Sequence, residues 1–561
     1  MISIRTSQDK ERFGIFCPES YYKIAKTIPG YKWNPDAKAW VYSASPTMAL
    51  LIRNTLSNIP SKCDEAFNIF LKTGEEAYAA AKRAQQMPVD SLSLPPIYKE
   101  DRPLWKHQRR AFWYAVSLWG GMENSHGGGV CLNMRMGTGK SSVAIHLIAN
   151  YRFEKTIIIA PSKILDVWDQ QFQEHDPLGC RVLILKDGSV KRRAQQAIDH
   201  LELCKEVYTG QPSVIVVNYE AARQGDLAAF ILRNTWDCAI SEESHRIKEP
   251  TGITSKFVGL LGRKSKHRLA LTGTLLPHSP LDVFAQWRFL DPSIFGTSWT
   301  KFRSKYAILG GFNGYQVTGY LRLDELQQKI YSIAYRVNPE EDSTKRDAPI
   351  QVYRKSKLNK GKNIYWNMYN HMVTEVKGGI VSAGNALTKL LRLQQITGGH
   401  LKDEEGVQHY DIDTAKAELL ADVLLDLPIH EPLVIFCRFH PDMDICTRAC
   451  EASGRTVSEL SGRLDTKQEW IDGKTDVLIA QIASGKEGIS LVRASYTIYY
   501  SLGFSLGDFD QSVSRTDRPG QKADQVTCIH LLMEGTVDEQ IYKAIQDRRD
   551  IIKSVLEDME S

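Results

Sequence analysis

The chain has 561 residues, 42% hydrophobic and 24% charged, with a net charge of +5. That is an ordinary globular balance, long enough for several cores without disulfide staples. It excludes a histone-like polycation and an acidic disordered chain, but a charge so small does not by itself indicate nucleic acid.

Residues 1–60 hold eight Lys/Arg against four Asp/Glu, a net +4 in about a tenth of the chain. Phe16, Tyr31, Trp33, Trp40 and Tyr42 interleave there with Lys32 and Lys38. That pattern suits stacking on unpaired bases with phosphate contact, although Trp33 and Trp40 could equally be the core of a small domain. Residues 64–86 are rich in Ala, Glu and Lys and predict a helix. Four prolines across residues 88–103 predict a linker. The N-terminus has no apolar signal-peptide core, no run approaches a membrane span, and the ten cysteines form no CxxC. The expectation is an intracellular protein with free thiols and no zinc site.

From about residue 104, short Val- and Ile-rich runs (GGGVCLNM, TIIIAP, SVIVVNY, RLALTGT) alternate with helical patterns. Such runs, without polar alternation, predict an α/β fold with a parallel sheet buried on both faces. A polar, mostly helical stretch follows over 297–415. A second α/β texture begins near 416 (PLVIFCRF, DVLIAQ, YTIYYS), and residues 536–561 read as one amphipathic helix.

The sharpest local signal is MRMGTGKSS, residues 134–142. Gly137, Thr138 and Gly139 form a turn whose N–H groups can face phosphates at a helix start, joined by Ser142. Lys140 would reach the β/γ-phosphates, and Ser141 would hold Mg²⁺. Met134 replaces the usual first Gly. About 100 residues on, WDCAIS ends in Glu242-Glu243-Ser244-His245, where a P-loop enzyme needs a metal anchor and a water-orienting base. Further on, Arg515 and Arg518 stand at i, i+3 and would share a helical face, suited to the charge of a transferring phosphoryl group. Arg515 lies 375 residues from Lys140, so the two are expected in different domains that must close for hydrolysis. The run Arg263, Lys264, Lys266, His267, Arg268 is read first as a solvated face. Trp168 and Phe172, at i, i+4, are read as helix core.

In this order the elements resemble the Swi/Snf-type ATPases of helicase superfamily two, over about residues 100–545. LWKHQ (104–108) resembles the adenine-reading Q element and MGTGKS motif I. IIIAPSKILDVWDQQF and VIVVNYEA resemble motif Ia and the following DNA-strand element. EESHRIK resembles motif II, LALTGT motif III, LVIFCRF motif IV, SGKEGISL motif V and QSVSRTDRPGQ motif VI. IPGYKWNPDAKAWVYS (28–43) resembles the HARP-type module of annealing helicases.

The resemblance implies two RecA-like lobes with helical insertions plus a small α+β N-terminal domain. The expected division is a DNA-binding module at 1–60, helix and linker at 61–100, lobe 1 at 101–296, insertions at 297–415, lobe 2 at 416–535 and a brace helix at 536–561. It implies ATP and Mg²⁺ as cofactors, with Gln108 and His245 joining the ATP site. Glu242 and Ser141 would hold the metal, Glu243 would be the base, and Arg515 and Arg518 the catalytic arginines. DNA contacts would fall to Lys163, Asn218 and Ser484 in the lobes, and to Lys32, Trp33, Lys38 and Trp40 in the module. The expected activity is ATP-driven tracking on duplex or forked DNA, with an ATP-gated clamp or an RNA helicase as rivals. A monomer in a bacterial or viral setting, with no membrane partner, is expected.

Departures from the family pattern are Glu242 for Asp, Leu275 for Pro, Lys486 for Gly and Ser490 for Asn. Glu242 is one methylene longer, about 1.5 Å. That reach suits holding Mg²⁺ through a water, with slow turnover.

Overall fold

The computed structural model describes residues 2–556 except 124, 312–313, 315, 338–345, 483–488 and 519. It divides into two compact units, the first through Ser343 and the second over Thr344–Ser554.

The first unit begins with a five-stranded sheet of β1 (Ile2–Thr6), β2 (Arg12–Phe16), β3 (Lys32–Asn34), β4 (Ala39–Ser43) and β5 (Ser61–Cys63), in the order β3-β4-β2-β1-β5. Ile2, Ile4, Phe13, Ile15, Trp40 and Tyr42 close its core against the helix Pro46–Thr55 and Phe67. Asp64 joins sheet to helix. Its carboxylate accepts the Thr6 hydroxyl at 3.0 Å and caps the helix Glu65–Gln86 through the Phe67 N–H at 2.7 Å.

That helix exists because its small residues recur at helical spacing. Gly74, Ala77, Ala81 and Ala84 are buried, and Ala81 enters the core of the next domain. At its end, buried Arg110 donates to the carbonyls of Ala84, Gln85 and Met87 at 2.6, 2.6 and 2.7 Å. These are carbonyls a helix leaves without partners. The Pro-rich stretch is pinned as well. Ile97 exchanges two hydrogen bonds with Asn150, Trp113 donates to the Ser93 carbonyl, and Lys99 donates to the Gln173 and Glu174 carbonyls. The segment expected to be a tether therefore runs along the surface of lobe 1, held through the backbone of Ser93 and Ile97 and the side chain of Lys99.

The sheet of lobe 1 contains β6 (Gly128–Asn133), β7 (Lys155–Ala160), β8 (Arg181–Leu185), β9 (Ser213–Asn218), β10 (Trp236–Glu242) and β11 (Ser265–Thr272). After the hairpin β12 (Ala307–Gly310) and β13 (Gln316–Tyr320) comes β14 (Ala334–Arg336), which completes the order β14-β6-β11-β10-β7-β9-β8. Every pairing in it is parallel. β14 thus belongs to the lobe 1 sheet, although it falls in the stretch expected to be insertion.

In the second unit, β15 (Ile350–Ser356) precedes two hairpins, β16 (Val373–Val376) with β17 (Gly379–Ser382) and β18 (His400–Lys402) with β19 (Gln408–Tyr410). Then come β20 (Leu433–Cys437), β21 (Val457–Leu460), β22 (Val477–Gln481), β23 (Tyr496–Tyr499) and β24 (Thr527–Met533). The sheet order is β15-β24-β23-β20-β22-β21, again all parallel. β20 shows why its sequence has no polar alternation. Val434 and Phe436 enter one apolar cluster, Leu433, Ile435 and Cys437 the other, so both faces are covered. The last helix is Val537–Leu556.

Candidate ATP site on lobe 1

Because the strands of lobe 1 are parallel, their C-terminal ends share one rim. Asn133 on β6 pairs with Thr272 on β11, whose Leu271 pairs with Glu242 on β10. MRMGTGKSS, Glu242-Glu243 and LTGT, far apart in sequence, thereby meet. The Met134 N–H donates to the Thr272 carbonyl at 3.0 Å.

Gly139 has φ +80°, and a Cβ there would stand 2.1 Å from the Gln108 amide nitrogen, so only glycine fits. The helix Lys140–Tyr151 follows with no side-chain cap, leaving its first-turn N–H groups free for an anion. Lys140 is buried, and its ammonium donates to the Met134 and Arg135 carbonyls at 3.0 and 3.2 Å. Ser141 is half-buried at the helix start. Thr138 turns inward, its hydroxyl donating to the Arg135 carbonyl at 2.7 Å, and the Ser142 side chain is buried. The Thr138 N–H also meets the Arg135 carbonyl at 3.4 Å, so of the two it is Ser142 that can serve a ligand, through its N–H group.

Gln108 accepts the Trp105 N–H at 2.9 Å and donates to the Thr138 carbonyl at 3.0 Å. His107 Nε2 lies 2.9 Å from that same carbonyl. Gln108 therefore supports the phosphate loop directly, and His107, which nothing in the sequence singles out, supports it equally.

Glu242 is 6% exposed, and its Oε2 is buried without a hydrogen-bond partner among the described residues. Burial and the neighbouring Glu243 charge push its carboxyl upward, and the Lys140 ammonium opposes them. A buried carboxylate oxygen with no partner is costly unless a cation compensates it. No cluster of three or more His, Cys, Asp or Glu able to hold a metal exists among the described residues. One carboxylate with one hydroxyl, Glu242 and Ser141, is the sparse oxygen set that Mg²⁺ uses when phosphates and waters complete its shell. The residues present fit that ion.

Glu243 adopts a left-handed backbone, φ 50° and ψ 54°, which a non-glycine residue takes at a cost of about 1–2 kcal/mol. Its Oε2 lies 3.3 Å from His245 Nδ1, which lies 3.4 Å from the Thr272 hydroxyl. A line of polar groups thus runs from the expected base to motif III. Beneath it, Ser244 donates to Gln286 at 2.6 Å, and Gln286 donates to the Leu275 carbonyl at 2.8 Å. The Tyr219 hydroxyl donates to the Glu242 carbonyl at 2.7 Å. Tyr219 lies in the VIVVNYEA run, read there for DNA contact and not for support of Glu242, and Gln286 lies in no motif quoted above.

Lys163 and Asn218 reach the same rim, at the ends of β7 and β9. Lys163 is exposed. Asn218 accepts from Arg193 at 3.2 Å and donates to Glu220 at 3.0 Å.

In lobe 2, the helix Leu506–Thr516 carries Arg515 but ends before Arg518, so the two arginines do not share a helical face. They converge all the same, donating to the Ile489 carbonyl at 3.5 and 3.3 Å. Arg515 is buried and Arg518 partly exposed, its guanidinium pushed down by burial. Ser484 and Lys486 lie outside the described residues.

In the module, Trp33 is 39% exposed and Trp40 only 6%, with ring centroids 4.8 Å apart across the β3–β4 pair. Trp40 is therefore a core residue under Trp33, not a presented ring. Lys32 and Lys38 are exposed. Lys301 of the helix Trp299–Tyr306 sits 4.0 Å over the Tyr31 ring and bonds its hydroxyl, so this face extends onto lobe 1.

The profile of the SNF2-related domain matches residues 49–397. The Caenorhabditis elegans homolog of SWI/SNF-related matrix-associated actin-dependent regulator of chromatin subfamily A-like protein 1 is 21% identical over 558 residues, 95% of this chain and 72% of its own length. The probable ATP-dependent DNA helicase CHR23 of Arabidopsis thaliana is 23% identical over 519 residues, 87% of this chain and 46% of its own. A Drosophila grimshawi DNA repair and recombination protein RAD54-like is 26% identical over 221 residues, 37% of this chain and 27% of its own. The chain thus spans less than half of the second relative and about a quarter of the third. Among solved structures, the Sulfolobus solfataricus SWI2/SNF2 ATPase core in complex with dsDNA covers 83% of this chain and 95% of its own at 20% identity, with a TM-score of 0.39.

Proposed function

This chain belongs to the SNF2-related domain family, and on that premise we propose that it is a DNA-stimulated ATPase that tracks along DNA. The observation that carries this reading is the gathering of Lys140, Glu242, Glu243, His245 and Thr272 on one strand rim. In it Lys140 exchanges its two carbonyl partners for the β/γ-phosphates, and the N–H groups of the first helical turn hold the remaining phosphate oxygens. Glu242 and Ser141 would hold Mg²⁺, whose charge would offset that of the phosphates when it is bound. Glu243 orients a water and accepts its proton, while His245 links that carboxylate to Thr272. Arg515 and Arg518 stabilise the charge of the transferring phosphoryl group.

DNA would be held through its backbone, with Lys163 and Asn218 on the rim, so no base sequence need be read. The module is proposed to favour forks or junctions, because Trp33 offers a ring beside Lys32 and Lys38 on a face that Lys301 extends. The Drosophila grimshawi relative is a DNA repair and recombination protein. Reannealing of forks would be one use of such a motor.

The test is ATP turnover by purified protein with plain duplex, forked DNA or RNA of equal length. Turnover should rise at least tenfold with either DNA, and Lys140→Ala should remove the rise while the fold persists by circular dichroism. Preference for RNA would establish the helicase rival. ATP-dependent DNA binding with background turnover would establish the clamp.

A further inference from the structure

Residues 351–400 contain eight Lys/Arg and a single carboxylate, Glu375, a net +7 within a chain whose whole net charge is +5. Three of these cations are answered by acids. Arg354 meets Asp426 at 2.5 Å, Lys355 meets Glu539 at 2.8 Å, and Lys357 meets Glu534 at 3.9 Å. Lys360, Lys362 and Lys389 meet no carboxylate among the described residues.

These cations surround aromatic rings. The helix Lys362–His371 places Lys362, Trp366 and Tyr369 at i, i+4 and i+7, one face of the helix. Trp366 is 40% exposed and Tyr369 39%. Their rings meet edge to face at 5.3 Å, and Lys389, from the helix Ala386–Thr397, stands 4.6 Å over Tyr369. Between them Tyr365 is buried, its ring nearly parallel to that of Tyr369 at 14°. Its hydroxyl accepts the Val537 N–H at 2.8 Å, at the start of the last helix. The exposed rings thus stand on an anchored one, and their positions are fixed before any ligand arrives.

Two rings set among unanswered lysines do not suit an apolar protein groove, because charged residues, lysine included, are depleted at protein–protein interface cores. They suit a polyanion that carries π faces. In duplex DNA those faces are hidden in the base stack, whereas an unpaired strand exposes them. We propose that this face of lobe 2 binds unpaired DNA, stacking bases on Trp366 and Tyr369 while Lys362 and Lys389 take the flanking phosphates. The site lies outside the residues assigned to the ATPase and needs no nucleotide, so it stands independently of the translocation reading.

The experiment is fluorescence anisotropy of a labelled oligo-dT of roughly 15 nucleotides with the full chain, without ATP, in a Trp33→Ala background that removes the module's exposed ring. Trp366→Ala and Tyr369→Ala should each weaken binding about tenfold, as loss of one stacked base implies. Trp366→Phe should stay within about threefold, because a ring remains. Lys389→Ala should weaken binding and flatten its salt dependence. Duplex-stimulated turnover should change less than about twofold in all four. Failure of the parent to bind oligo-dT, or equal binding by Trp366→Ala, overturns the proposal. So does a loss in Trp366→Ala that tracks a lower melting temperature while Lys389→Ala binds normally, which would make the rings structural. A parent that binds oligo-dT but shows no DNA-stimulated turnover would sink the ATPase reading and leave this one standing.

Discussion

At the scale of single residues, the strand period decides what a charged run means. Arg263, Lys264, Lys266, His267 and Arg268 look like a solvated basic face, yet β11 starts at Ser265 and alternates its side chains in and out. His267 is buried among Trp119, Tyr151 and Phe153, with Nδ1 2.8 Å from the Asp237 carbonyl and Nε2 2.7 Å from the Ser125 hydroxyl. Burial pushes its imidazole down to about 4. The folded state therefore keeps it neutral while the unfolded chain takes a proton near 6.5. Its contribution is intact above pH 6.5 and is lost as pH falls towards 4, at about 1.4 kcal/mol per pH unit. Other buried histidines act in the same direction, so the isolating measurement is a difference. In urea unfolding at pH 7 and pH 5, His267→Gln should show a pH slope shallower than the parent by about one proton. Parallel slopes would contradict the assignment. The mixed run also shows what is legible in sequence. Basic composition was visible, but the burial of its fourth member needed the strand register and the aromatic nest.

At the scale of elements, the sequence pattern was sufficient where periodicity was complete. The Ala-rich segment 64–86 reads as a helix and is one over Glu65–Gln86, and the Val/Ile runs read as buried parallel strands and are. It was insufficient where an element is defined by its partners. β14 is three residues long, and only its pairing with β6 places it in the lobe 1 sheet. The Pro-rich stretch carries every compositional mark of a linker, while Asn150, Trp113 and Lys99, which pin it, lie outside it or pair beyond it. Arg110 is the strongest of these hidden ties. Its guanidinium is buried on the carbonyls that end the helix Glu65–Gln86. Replacing it by methionine fills the volume and leaves the carbonyls without donors. Arg110→Met should cost about 3 kcal/mol in chemical unfolding of the first unit. A loss below about 1 kcal/mol would mean that water replaces the arginine and that the tie is weak.

At the scale of the whole molecule, the net charge of +5 conceals two strongly basic segments. Residues 1–60 carry +4 and residues 351–400 carry +7, so everything else is slightly acidic. A protein that must release its track on each cycle needs such local surfaces rather than a global field, because each phosphate contact raises affinity and salt sensitivity together. The two surfaces belong to different units, and each joins lysines to an exposed ring, Trp33 in one and Trp366 with Tyr369 in the other. Removing the first 90 residues would not isolate the module's role, since Ala81 and the Arg110 contacts would go with it and open the core of lobe 1. The exposed ring can be removed alone. Trp33→Ala should leave turnover on plain duplex within about twofold and lower the preference for forked over duplex DNA by about tenfold, the effect of one lost stacking partner. The measurement is the half-saturating concentration of each DNA in the ATPase assay. Equal weakening on both substrates would mean that the module is a general DNA grip, and that any choice of structure lies elsewhere in the chain.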